Sequence, residues 1–86
     1  MQEMKDVAAR VISQQGICSA GHKVGDKFII GQNTPDSMCS WAFCSLFPFA
    51  TVLQSGCSFP WETEEGKTTV ACPDPENPVV FELKRV

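Results

Sequence analysis

The chain has no cluster of basic residues. No stretch of it gathers more than two Lys or Arg side chains, its net charge is −3, and its isoelectric point lies near 4.9. Proteins that bind nucleic acid neutralise phosphates with clustered Lys and Arg. The composition therefore argues against nucleic acid as a partner.

Long apolar runs and export signals are also absent. The most apolar segment, residues 38–53, is interrupted by Pro48 and is shorter than the roughly 20 residues of a membrane span. Residues 1–6 are polar and lack the apolar centre of a signal peptide. We therefore expect no membrane partner and a cytoplasmic location, in which the cysteines are reduced.

What the chain does contain is cysteine. Five Cys and one His occur in 86 residues, and most of them lie in three short motifs, CSAGH at 18–22, CSWA at 39–42 and CPDP at 72–75. Reduced cysteines serve metal or redox chemistry more often than disulfides. The motifs therefore indicate a thiol site.

A metal centre is one hypothesis for this site. Cys18, His22, Cys39 and Cys72 supply the four ligands of a tetrahedral structural zinc site. The usual C-x2-C pair is missing, however. An iron–sulfur cluster has weaker support, because the spacing of Cys39 and Cys44 reproduces only the first half of a ferredoxin pattern.

Two other interpretations of the thiols remain open. Free cysteine is among the most buried residue types, so these residues can simply pack the core. His22 can also be a general base for Cys39, the pairing that activates cysteine hydrolases. No third, orienting residue is identified by the sequence, although Asp26, Asp36 and Asp74 are candidates.

Cys44 and Cys57 are expected to lie outside the thiol site. On a continuous helix, side chains five residues apart point roughly 140° away from each other, so Cys44 should not share an ion with Cys39. Both Cys44 and Cys57 are therefore predicted to be packing residues.

Aromatic residues offer a different kind of site. Trp41, Phe59 and Trp61 can form a surface that binds a partner, because large amphipathic rings anchor interfaces. The alternative is that the same rings fill the core and clamp a loop. The segment around Asp74 and Asn77 is read as a rigid turn because of its prolines.

The pattern of apolar residues predicts the element order β-β-α-β-β in one domain, residues 1–86. The expected strands are 7–12, 28–30, 68–72 and 79–86, the last with clear alternation. This order indicates an α+β fold, a small antiparallel sheet with one helical layer on a face. The edge strands of such a sheet make a homodimer a further expectation.

The helix is predicted to extend from Trp41 to Leu53, apolar nearly all round and hence buried on most sides. Its cap would be Thr34, Asp36 or Ser37. Pro48 should kink it or split it into two short helices. Gly56 should end it.

The motifs taken together resemble a family of small uncharacterised proteins, mostly bacterial. The blocks that carry the resemblance are CxAGHxxGDxF, CxWA, FPW and ACPDPxxPVVFE, at 18–28, 39–42, 59–61 and 71–82. The resemblance implies no established reaction. It places Cys18, His22, Cys39 and Cys72 inside the signature blocks, with Cys44 and Cys57 outside them, and residues 54–58 depart from the Gly-Gly form expected there.

Two functions follow from these observations. The first is a non-enzymatic module that binds an unknown protein or small molecule, because the chain shows no nucleophile–base–orienter set and no phosphate-binding loop. The second is a metal-binding or redox-thiol protein centred on the four signature Cys and His residues. These side chains must converge in the fold for the second to hold.

Overall fold

A four-stranded antiparallel sheet carries one helix on one face. A computed structural model describes residues 4–86, and its elements are β1 (Val7–Gln14), β2 (Lys27–Ile30), α1 (Ser40–Gln54), β3 (Lys67–Ala71) and β4 (Val79–Arg85). The strand order is β2-β1-β4-β3. The α+β prediction is confirmed. β2 and β3 form the two edges, and dimerisation through either edge stays a prediction.

The inner face of the sheet, which we define as the face covered by α1, is apolar. Strict alternation along the two central strands puts the residues Val7, Ala9, Val11, Val79, Phe81 and Leu83 on it, all buried. Cross-strand neighbours such as Ala9 with Leu83 and Val11 with Phe81 set the register. Because side chains alternate with a period of two, a shift by one residue would move this whole set into solvent.

The helix covers this face with a single stripe. Its buried apolar residues are Ala42, Leu46, Ala50 and Leu53, spaced three or four apart as one helix face requires. The opposite side is exposed, with 66% of Trp41 and 46% of Phe47 accessible to solvent. The predicted burial on most sides is therefore wrong, because a two-layer fold gives the helix only one neighbour. Within residues 4–86, no helix has the length and apolar character needed to cross a membrane.

The two ends of the helix differ from each other. Cys39 is the residue that precedes the first turn, and no side chain caps it, so capping by Thr34, Asp36 or Ser37 is wrong. At the other end, Gly56 has a φ of 90° and its amide donates to Leu53 O at 3.1 Å. The prediction that Gly56 ends the helix is confirmed.

Pro48 lies inside one helix rather than between two. The predicted division into two short helices is therefore wrong, while a kink at Pro48 stays a prediction. Proline removes the amide that would bond the carbonyl of Cys44. Both residues are exposed, so water can bond that carbonyl and the helix continues at a modest cost.

Candidate functional site

Three segments that are far apart in sequence meet beside the start of the helix. They are the loop after β1, the residues where α1 begins, and the loop between β3 and β4. Together they enclose a cavity of about 50 Å³, here called the cysteine cavity, lined by Cys18, Ser19, His22, Cys39, Trp41, Ala42, Cys72, Asp74, Asn77 and Val79. All four residues of the predicted metal site lie on its wall.

The first and third segments are fastened to each other by hydrogen bonds. The amide of Gln15 donates to Pro78 O at 3.0 Å, and the amide of Ile17 donates to Asn77 Oδ1 at 2.9 Å. Between them Gly16 has a φ of 67°, and a Cβ at that position would collide with the Asn77 side chain. Glycine is required there both by its dihedral angle and by the close approach.

Asn77 lines the cavity, although the sequence indicates for it only a place in a rigid turn. The turn itself is confirmed, because Asp74 Oδ1 accepts the amides of Glu76 and Asn77 at 3.1 and 3.2 Å. Prolines on both sides of an Asx turn are the available sequence signal. What they do not show is that the turn presents Asn77 to a loop 60 residues earlier.

His22 fastens the first segment to the helix. Only 6% of the residue is exposed, and its ring meets Phe28 and Phe81 edge-on, with centroids 5.2 and 6.0 Å away. Nε2 accepts the backbone amide of Cys39 at 2.9 Å, which places the ring proton of the neutral imidazole on Nδ1. In this arrangement His22 holds the main chain of Cys39 and not its thiol.

The turn that follows His22 is fixed by a carboxylate. Asp26 accepts the amide of Lys23 at 3.1 Å and lies 3.2 Å from its ammonium group. The amide hydrogen bond, followed by the side-chain contact and charge of Lys23, holds the pKa of Asp26 below its ordinary value of 3.8. Asp26 thus stabilises the turn rather than orienting His22 for catalysis.

The three cavity thiols are half-buried and free of disulfides. Cys72 is the most constrained of them, because its Sγ accepts the amide of Val79 at 3.3 Å while its own amide donates to Val79 O at 2.9 Å. Cys18 and Cys39 pack against the edge of the core. Three of the ten residues that line the cavity are thus cysteines.

A metal centre needs more than a shared cavity. In the part of the chain that the structure describes, no three His, Cys, Asp or Glu side chains are arranged to hold an ion. The lone pair of His22 Nε2 is used by the amide of Cys39, and Cys72 Sγ by the amide of Val79. The structure therefore brings the predicted ligands together without giving them ligating geometry.

Cys44 and Cys57 lie outside the cavity, as expected, but they do not pack. Both are exposed, so their assignment as packing residues is wrong. Cys44 projects from the uncovered side of α1, and Cys57 follows the end of the helix. The assignment rested on the general tendency of free cysteine to be buried, which neither position follows.

The predicted aromatic surface is divided in two. Trp41 lines the cysteine cavity, whereas Phe59 and Trp61 stack on each other with centroids 4.6 Å apart. Phe59 also contacts Phe49 at 5.7 Å, and Phe49 lies eight residues along the helix from Trp41, or about 12 Å. Trp61 remains 62% exposed, so each half presents one accessible indole.

Comparison with known proteins gives no assignment, since no family model, curated protein or solved structure matches the chain. The resemblance of the motifs to a family of small proteins stays a prediction.

Proposed function

We propose that the protein is a non-enzymatic binding module whose ligand site is the cysteine cavity, with Trp41 at its rim. One observation carries the proposal: three motif segments, separated by up to 54 positions between Cys18 and Cys72, converge on one cavity and are fastened there. Thiols that served only to pack the core would leave no space between them.

The volume of the cysteine cavity limits the size of the ligand that it can bind. A volume of about 50 Å³ holds a few water molecules, since one needs roughly 10–15 Å³. A small uncharged group fits, either a fragment-sized molecule or one side chain of a partner. The exposed Trp41 then packs against the rest of that ligand, the role that tryptophan commonly has at the centre of an interface.

The position of His22 supports binding rather than catalysis. A general base for Cys39 needs its acceptor nitrogen within hydrogen-bond reach of the thiol. Here that nitrogen accepts the Cys39 amide instead, and Phe28 and Phe81 enclose the ring. The imidazole therefore supports the wall of the site.

A soft metal ion is the second candidate ligand, favoured by the three sulfur atoms around one cavity. Thiolates select zinc, copper(I) and iron–sulfur clusters. Ligation would require Cys18, Cys39 and Cys72 to bring their sulfurs to about 2.3 Å from one zinc ion. Because the structure shows no such group among residues 4–86, this candidate needs a rearrangement of the loops.

A titration followed by two-dimensional NMR tests the first candidate. The probes are a library of small neutral compounds, added singly to labelled, reduced protein. We expect saturable shifts at the amides of Cys18, His22, Cys39 and Cys72 and at the Trp41 indole, with binding weakened by Trp41→Ala. Trp61→Ala, which removes the other exposed indole, is the matched control. No saturable shift at these groups, or equal loss in both variants, would refute the assignment.

The metal candidate has its own readout. Protein prepared without an affinity tag is analysed for zinc and iron, and then titrated with cobalt(II), whose thiolate complexes absorb strongly. One equivalent of metal, lost on Cys18→Ser or Cys72→Ser but retained on Cys44→Ser and Cys57→Ser, would establish the second candidate. Absence of bound metal and of cobalt–thiolate absorption would remove it and leave the small-ligand site.

A further inference from the structure

The open face of the sheet, which we define as the face turned away from α1, concentrates positive charge. It carries Ala8, Arg10, Lys27, Ile29, Lys67, Thr69, Glu82 and Lys84. The strands thus place on it four of the chain's seven Lys and Arg, but only one of its ten Asp and Glu. A protein with a net charge of −3 therefore has one distinctly basic face.

The register places like charges directly opposite each other. Arg10 pairs with Lys27 across β1 and β2, and Lys67 pairs with Lys84 across β3 and β4. Directly opposed like charges destabilise an antiparallel pair, whereas opposite charges stabilise it. Glu82, which lies opposite Arg10 across β1 and β4, offsets part of this repulsion, and the positive charge in excess of it is available to a ligand.

A hollow lies in the middle of this face. Arg10, Lys27, Glu82 and Lys84 surround Ala8, and the space between them is about 290 Å³. The hollow exists because Ala8 has only a methyl group while its cross-strand neighbours Ile29 and Lys84 have long side chains. Its volume is close to the lower end of the range for small-molecule sites, about 300 Å³.

The cations of this hollow are only loosely neutralised. Arg10 and Lys67 share Glu82 at 3.7 and 3.6 Å, and Lys84 lies 3.6 Å from Glu64. Lys27 has no ion pair with any residue of 4–86. Long, exposed ion pairs are weak, so an arriving anion can displace them.

We propose that this hollow, formed by Ala8, Arg10, Lys27, Glu82 and Lys84, binds a small free phosphorylated molecule. Arg10 supplies the planar fork that suits a phosphate, and Lys27 and Lys84 supply point charges. Glu82 lies opposite Arg10 across β1 and β4 and can accept a hydrogen bond from a hydroxyl group of the ligand. This function is independent of the cysteine cavity, which lies on the other side of the sheet.

Nucleic acid fits the same face less well. Single strands are bound by aromatic side chains on which bases stack, beside a basic groove that follows the backbone. The open face carries no aromatic residue, and its charge surrounds one hollow rather than following a line.

Inorganic pyrophosphate is the probe for the test. Labelled protein is titrated at about 0.01 M ionic strength, where the screening length is about 30 Å. We expect saturable NMR shifts centred on the amides of Ala8, Arg10, Lys27 and Lys84. The double variant Lys27→Gln/Lys84→Gln should weaken binding at least about tenfold, since charge-assisted contacts are lost.

The charge-matched control is Lys5→Gln/Lys23→Gln, which removes two positive charges away from the hollow and should weaken binding much less, through the change in net charge alone. Thermal melting checks that both double variants fold. Equal weakening in both variants, or shifts that never saturate, would show a general charge effect and overturn the proposal. Tighter binding to a single-stranded oligonucleotide or to anionic phospholipid vesicles than to pyrophosphate would also overturn it and assign the face to that partner.

Discussion

The two faces of the sheet are made by the same strands and have opposite characters. Along β4, Phe81 is fully buried beside His22 and Phe28, while the next residue, Glu82, lies on the open face between Arg10 and Lys67. The inner face adjoins all three cavity cysteines and His22. The open face has no cysteine and carries most of the strands' charge.

The difference shows where stability and recognition reside in a small two-layer protein. Burial fixes the identity of almost every inner-face residue, because each is packed against α1 or its neighbours. Residues on the open face contribute little to folding, so their identity is free to serve another purpose. Unfavourable charge pairing is informative there, because packing does not explain it.

The largest expected effect is a difference in the free energy of unfolding between substitutions at two neighbouring residues on opposite faces. Phe81→Ala should lower the free energy of unfolding by about 3–5 kcal/mol, because it leaves a cavity under α1. Glu82→Ala should change it by less than about 1 kcal/mol, since its ion pairs are exposed and long. Urea unfolding followed by circular dichroism measures both.

Phe81→Ala can abolish folding, because a chain of this size has roughly 4–13 kcal/mol of stability in total. Phe81→Leu then replaces it, with an expected loss of about 1–2 kcal/mol. Equal losses for a substitution at 81 and for Glu82→Ala would contradict the division of the sheet into a structural face and a free one.

Period-two alternation made the inner face predictable from sequence, since it selects Val79, Phe81 and Leu83 without knowledge of any neighbour. The element order and the stop at Gly56 followed from equally local signals. The helix was different. Its composition indicated burial on all sides, but composition does not show how many layers of structure pack against a helix. Trp41 and Cys44 face solvent because the sheet covers only one side of α1.

The candidate site was predictable in part. Motif residues Cys18, His22, Cys39 and Cys72 do meet at one cavity. Their roles were not predictable, because the bond from the Cys39 amide to His22 depends on where the helix begins. The hollow on the open face was missed altogether, since Arg10, Lys27 and Lys84 are isolated in sequence and are brought together only by strand register.

A second prediction tests whether His22 has a structural role, in which it stabilises the fold by accepting the amide of Cys39. His22→Ala should lower the free energy of unfolding by about 1–3 kcal/mol, because the partly buried Cys39 amide loses its acceptor. His22→Gln retains an acceptor and should lose less. Alkylation of Cys39 by iodoacetamide, located by mass spectrometry, should be faster in the alanine variant because the start of the helix is no longer held.

Alkylation of the wild type provides the reference for that experiment. Cys44 and Cys57 are exposed and should react before Cys18, Cys39 and Cys72, since access limits the reaction. If the rate at Cys39 were the same in His22→Ala and the wild type, His22 would not position the thiol segment, and its role would have to be sought at the cavity itself.

A third prediction sharpens the contrast on the open face. Lys27→Glu converts its opposed pair with Arg10 from like to opposite charge, and should raise the free energy of unfolding by about 0.2–1 kcal/mol. The same substitution should weaken pyrophosphate binding. Lys27→Gln separates the two contributions, because it removes the repulsion without adding an attraction. Loss of stability on Lys27→Glu would show that the charge pattern of this face serves the fold.

The smallest effect concerns the turn at residues 23–26, which belongs to neither face. The amide and side chain of Lys23 hold the pKa of Asp26 below 3.8. A carboxyl whose pKa is lower in the folded than in the unfolded state stabilises the fold fully above the unfolded value and loses that contribution as pH falls through the folded value. Asp26→Asn should therefore remove part of the decline in stability below about pH 4 and leave the pH dependence near neutrality unchanged. Thermal melting of both proteins between pH 2 and 7 measures this, and an equal decline below pH 4 in the two proteins would contradict it.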